Sequence, residues 1–181
     1  MAQANVTLEV DMCQGARGYI TIAGCRSGTC TPPLITLPDG GFEERLPWTG
    51  QPLTSVRGAW VYDNQRSGSR ALQLSVGGRG ASGSYELWQW ITACPGVTYK
   101  LFAWAKTVDV SSNCVINWVM DDSYILVQNF TTTGYELATA TWVAPVPLDE
   151  LLILKVVMQC NATAPGVKVV YLDDVSLERV R

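Results

Sequence analysis

Val170-Tyr171-Leu172-Asp173-Asp174-Val175-Ser176-Leu177 alternates apolar Val170 and Leu172 with Tyr171 and Asp173, then resumes with Val175 and Leu177. A period of two is the signature of a strand with one buried face. The adjacent aspartates interrupt it. Side chains of neighbouring strand residues point to opposite faces, so one of the two carboxylates heads away from water unless a cation or hydrogen-bond donors receive it. The stretch therefore predicts a terminal strand with a polar device built into it.

Working back from that strand, short β-prone runs recur between turn clusters: Arg70 to Val76, Tyr85 to Thr92, Thr98 to Thr107, Cys114 to Met120, Ser123 to Gln128, Glu136 to Val143, Leu151 to Gln159 and Lys168 to Leu177. No segment shows a helical stripe, and strands at this spacing predict an all-β sandwich or jelly roll. At the other end Val6, Leu8, Val10 and Met12 alternate, and Tyr19-Ile20-Thr21-Ile22 follows a Gly-rich turn. Those residues predict an extra N-terminal β-hairpin over 1–33, closed by Thr31-Pro32-Pro33 and holding three of the six cysteines.

Composition narrows the function classes. The 181 residues are 48% hydrophobic and 16% charged, enough apolar material for a core in one domain. No apolar run approaches the ~20 residues of a membrane-spanning helix. The net charge of −3 comes without a Lys/Arg cluster, so nothing marks a phosphate-backbone partner such as nucleic acid. The chain has no histidine, which removes the commonest general base and transition-metal ligand. Six cysteines without a CxxC pair favour disulfides. Asn5-Val6-Thr7, Asn129-Phe130-Thr131 and Asn161-Ala162-Thr163 are glycosylation sequons, which agree with an oxidising secretory route. Residues 1–20 lack a basic start followed by an apolar run, so the expectation is a mature secreted chain of fungal type.

Taken in order, Asp39-Gly40-Gly41-Phe42-Glu43 with Trp48, Ala71 to Val76, Gln89 before Pro95-Gly96, Tyr99 to Leu101, Trp104-Ala105-Lys106 and Tyr171 to Leu177 resemble carbohydrate-binding modules with a galactose-binding-like jelly roll, the group of families 4, 9 and 22. The likeness spans about residues 34 to 178, which implies a binding module over 34–181 and leaves the 1–33 hairpin outside it. It implies that Glu43 and Asp174 hold a structural calcium ion, completed by backbone carbonyls. It also implies, among the fifteen pairings that six cysteines allow, a Cys114–Cys160 disulfide. That pairing would place Ile116, Trp118 and Met120 on one core face with Val156 and Met158.

Sugars are bound by stacking on aromatic rings, and the chain has seven tryptophans. In the run from Tyr85, Glu86, Trp88 and Trp90 alternate with Tyr85, Leu87, Gln89 and Ile91, the set that the resemblance buries. In the next run, Lys100 and Lys106 mark Phe102 and Trp104 as facing outward. One reading is a sugar platform of Trp88, Trp90 and Trp104 with Glu86, Lys106 and Asn117. The other covers these rings with the N-terminal hairpin. Trp48 and Trp142 are expected in the core. Trp60, Tyr62 and Asp63, read as a rim loop, form a second candidate patch.

Gly78-Arg79-Gly80-Ala81-Ser82-Gly83 matches a nucleotide-binding spacing, but it leads into a strand and offers no helix N-terminus to a phosphate. Acid pairs at Glu43/Glu44, Asp121/Asp122 and Asp149/Glu150 are neighbours in sequence, which says nothing of two carboxylates facing across a cleft. The sequence therefore predicts noncovalent binding of a polysaccharide or glycan by a secreted, non-catalytic module. Its rivals are a cell-wall or protein-interaction domain of the same fold with a protein partner, and a small carbohydrate-active enzyme.

Overall fold

The described residues form ten strands: β1 (Thr49–Pro52), β2 (Val56–Val61), β3 (Ala71–Val76), β4 (Gly83–Ile91), β5 (Thr98–Thr107), β6 (Cys114–Met120), β7 (Ser123–Asn129), β8 (Glu136–Val143), β9 (Leu152–Cys160) and β10 (Lys168–Arg179), of which β3 to β10 are built on alternating apolar and polar residues. The computed structural model describes residues 37, 40–44, 48–52, 56–77, 83–146, 152–160 and 166–180. The expected 1–33 hairpin, Cys13, Cys25, Cys30, Asp39, Asn5 and Asn161 lie outside them.

The strands form two antiparallel five-stranded sheets, ordered β1-β4-β9-β6-β7 and β2-β3-β10-β5-β8. From β3 to β6 each successive strand changes sheet, so residues adjacent in the chain end up on opposite sides of the sandwich. Between the sheets, Leu72, Leu74, Leu87, Leu101, Leu154 and Leu172 are fully buried. Phe42 and Trp48 stack in the same core at 5.4 Å, and half-buried Trp142 packs on Tyr99 at 6.0 Å, as expected of Trp48 and Trp142.

Cys114 and Cys160 face each other in register and are disulfide-bonded. The next core-facing pairs are Ile116 with Met158, Trp118 with Val156 and Met120 with Leu154, so the face expected from that pairing is a core face. Cys94 is also disulfide-bonded.

β1 and β2, which period-two reading passed over, close one flank of the sandwich. The buried Tyr85 ring lies against both: a side chain at Gly50 or at Gly58 would collide with its hydroxyl end. These two positions must therefore be glycine while Tyr85 keeps its place.

β10 resolves the paired aspartates by a bulge. Its register with β5 shifts between Asp173 and Ser176, and Asp174 takes φ 47°, a left-handed conformation that Asp tolerates better than most residues. Without the extra residue Asp174 would follow Leu172 onto the core face. With it, Val175 and Leu177 return to the core instead.

Candidate functional site

The outer face of the first sheet is organised by β4. Tyr85, Leu87, Gln89 and Ile91 point inward and are buried, while Glu86, Trp88 and Trp90 point outward, as alternation predicts. Trp90 is 47% exposed and Trp88 is half-buried. Their ring centroids are 5.8 Å apart with planes at 83°, so the two indoles form a corner and not a flat platform.

Register supplies the neighbours. Trp88 lies between Thr49 of β1 and Lys155 of β9, Trp90 beside Ile153, and Glu86 beside Val157. The Lys155 ammonium donates to Asp122 at 2.7 Å. That hydrogen bond, reinforced by the charges of Asp122, Glu86 and Asp121, holds the Lys155 pKa above the usual lysine range against partial desolvation. Asn117, expected as a polar partner, is buried and donates its amide to Gln159 at 3.2 Å. Gln159 is the exposed member of that pair. Lys155 and Asp122 escaped the sequence reading because only strand register brings Lys155 beside Trp88, and Asp122 joins it through their hydrogen bond.

Trp104 and Lys106 do not join this face. β5 belongs to the second sheet, so its outward side chains leave from the opposite side of the sandwich. The single platform of Trp88, Trp90 and Trp104 is thus corrected to two faces. On the second, Trp104 lies between Asp173 and Leu137 in register, with the Arg66 guanidinium 3.9 Å from its ring centroid. Lys106 donates to Asn64 Oδ1 at 3.2 Å and faces the rings of Tyr135 and Tyr171. Trp60 is not in a rim loop: it sits on β2 and packs against the core, with its indole N–H buried and without a partner among the described residues. Tyr62 is 70% exposed beneath the Arg70 guanidinium, and Asp63 beside it is exposed.

The carboxylates assigned to calcium grip the 66–70 segment. Ser69 donates its backbone N–H to Glu43 Oε1 at 2.8 Å and its hydroxyl to Oε2, and the Arg70 N–H reaches Oε1 at 3.2 Å. The Ser69 hydroxyl bond is the main cause of a Glu43 pKa below the usual carboxylate range. Asp174 accepts from the Ser67 hydroxyl at 2.7 Å and pairs with Arg66. Asp173, fully buried, accepts the backbone N–H groups of Arg66 at 2.7 Å and Ser67 at 3.2 Å, and burial pushes its carboxyl up. These oxygens are of the hard class calcium takes. They are satisfied by protein donors, and among the described residues no three His, Cys, Asp or Glu side chains converge on one point.

No family model and no curated protein sequence matches the chain. Among solved structures it is similar to a family 61 carbohydrate-binding module in complex with β-1,4-galactotriose, with TM-score 0.57, 21% identity, and 81% of this chain and 99% of that one covered. It is equally similar in shape to a Stig cyclase from Fischerella sp. TAU, with TM-score 0.56, 13% identity and coverage of 81% and 97%. A third likeness is to the enzymatically active domain of bacteriophage CBA120 tailspike protein 4, with TM-score 0.50 and 19% identity, over 81% of this chain and 22% of that one. The chain therefore has the β-sandwich jelly roll of carbohydrate-binding modules, as the sequence motifs imply. Cyclases are built on that fold too, so the function has to be argued from this chain's own faces.

Proposed function

We propose that this protein binds a polysaccharide or glycan chain noncovalently on the outer face of its first sheet. The observation that carries the reading is the exposed indole corner of Trp90 and Trp88, flanked by Glu86 and Lys155. An exposed aromatic offers its face to the C–H surface of a pyranose, and the polar neighbours offer hydrogen bonds to hydroxyls. The family 61 module with its galactotriose supports this reading by analogy of fold. The exposure of Trp90 among the described residues supports this reading over the protein-interaction rival.

The reading assigns no catalysis to the face: Glu86 and Asp122 are drawn to Lys155, between them, and the tryptophans do the holding. Two disulfide-bonded sites support an oxidising, extracellular location. A structural calcium ion at Glu43 and Asp174 belongs to the same proposal. It would replace the Ser67, Ser69, Arg66 and Arg70 donors on those oxygens and tie the segment before β1 to β10.

Native electrophoresis through gels containing β-1,4-galactan, β-glucan, xylan or mannan tests the binding. Retardation by a polymer, lost in the Trp88→Ala/Trp90→Ala variant, is expected. No retardation by any polymer, or equal retardation of the variant, contradicts the reading. Recovery of the polymers unshortened after long incubation is expected, and shortened chains would establish the enzyme rival. Calcium is expected to raise Tm in wild type and not in Glu43→Ala, whereas a Tm indifferent to calcium would remove the ion from the account.

A further inference from the structure

We propose that Asn129 carries an N-linked glycan when the chain passes through a eukaryotic secretory pathway, and that this glycan closes the β7 border of the aromatic face. Asn129 is the last residue of β7, the strand at the end of the first sheet. Its neighbour Gln128 is buried and points inward, so Asn129 points outward, and it is exposed. It is in register with Val115, which pairs with Gln159, so it stands on the same outer face as Trp88 and Trp90. Its side-chain amide makes no hydrogen bond among the described residues, so modification sacrifices no contact there.

The rest of the sequon is committed elsewhere in the folded protein. Phe130 packs against the core, and Thr131 donates its N–H at 2.8 Å and its hydroxyl at 3.1 Å to the Glu136 carboxylate. Transfer must therefore precede folding of this turn. The donor is a lipid-pyrophosphate-linked oligosaccharide: the Asn129 Nδ2–C1 bond forms and the C1–O bond to phosphate breaks. The lipid pyrophosphate leaves with the electron pair, and Nδ2 gives one proton to the transferase.

In the folded sheet the glycan root lies three strands from β4, roughly 14 Å across, and four residues along from the Trp88 row, roughly 13 Å. That distance leaves the indole corner uncovered but sets a bulky branched group on one of its two approaches. A polymer then reaches Trp88 and Trp90 from the β1 side. This second half rests on the glycan-binding reading above.

The test expresses the full chain in a eukaryotic secretory host and compares intact masses of wild type, Asn129→Gln and Thr131→Ser before and after enzymatic removal of N-glycans. The Asn129→Gln variant is expected to lose one glycan and Thr131→Ser to keep it, with unchanged Tm in both after deglycosylation. An unchanged glycan count in Asn129→Gln overturns the site. In the polysaccharide gels, Asn129→Gln is expected to bind about threefold tighter than glycosylated wild type. Equal affinity overturns the border role alone. Failure of both proteins to bind any polymer sinks the glycan-binding reading and the border role with it, while the masses still decide the site.

Discussion

Gln89 is fully buried between the sheets, and among the described residues neither its amide nitrogen nor its carbonyl oxygen has a hydrogen-bond partner. An unpaired buried amide costs roughly 1–3 kcal/mol, so Gln89→Met, which keeps length and removes the polarity, is expected to raise stability by about 1–2 kcal/mol. Thermal unfolding checks this: a rise of a few degrees in Tm is expected, and a fall would show that the amide is needed where it is. The tryptophans divide by the same criterion of burial. Replacing Trp118, fully buried, by Ala should cost about 3–5 kcal/mol, whereas Trp90→Ala should cost less than about 1 kcal/mol and act on binding. Alternation along β4 made that division legible for Trp88 and Trp90, because a residue's face is a local property. It misled for Trp104: its outward orientation was read correctly, but the sheet to which a strand belongs is decided by non-local pairing.

At the scale of elements, the 66–70 segment is held by three carboxylates, of which Glu43 and Asp173 shift in opposite directions. Glu43 titrates below its unfolded value of 4.5, so its contribution is present above that pH and is lost as pH falls through the lower folded value. Asp173, raised by burial, works in the other direction. Comparing wild type with Glu43→Gln cancels the Asp173 contribution: the Tm difference is expected to be present at pH 7 and to shrink as pH falls below 4.5, and a difference independent of pH would contradict the clamp. The terminal strand disclosed that something polar interrupts β10, but the bulge at Asp174 is defined by pairing with β5, and the donors that meet Asp173 come from residues more than a hundred positions away. β1 and β2 stayed hidden for a related reason. Their fit depends on bare glycine against Tyr85, a signal of size and not of period, and Trp60 was accordingly read as part of a loop.

Across the whole molecule, the two-sheet jelly roll was readable because eight of the ten strands among the described residues carry their own alternation and the Cys114–Cys160 pair stands at matching strand ends. That disulfide spans 46 residues, and in the chain-entropy account its removal by a Cys114→Ala/Cys160→Ala replacement costs about 4 kcal/mol. Chemical denaturation checks the figure, and a loss under about 1 kcal/mol would contradict it. The faces also differ in charge. Around Trp88 the lone ammonium of Lys155 is drawn by Asp122, Glu86 and Asp121, which leaves no free cation for a uronate or sulfate chain among the residues named on this face. A polyuronate is therefore expected to bind more weakly than an uncharged polymer. The measurement that tests the central claim most directly is native gel retardation in uncharged polysaccharides by wild type and Trp90→Ala, with Tm measured on both. Retardation of wild type that Trp90→Ala loses at unchanged Tm is the result expected here; retention of binding by that variant, or no retardation of wild type in any polymer, would contradict the aromatic face as the site.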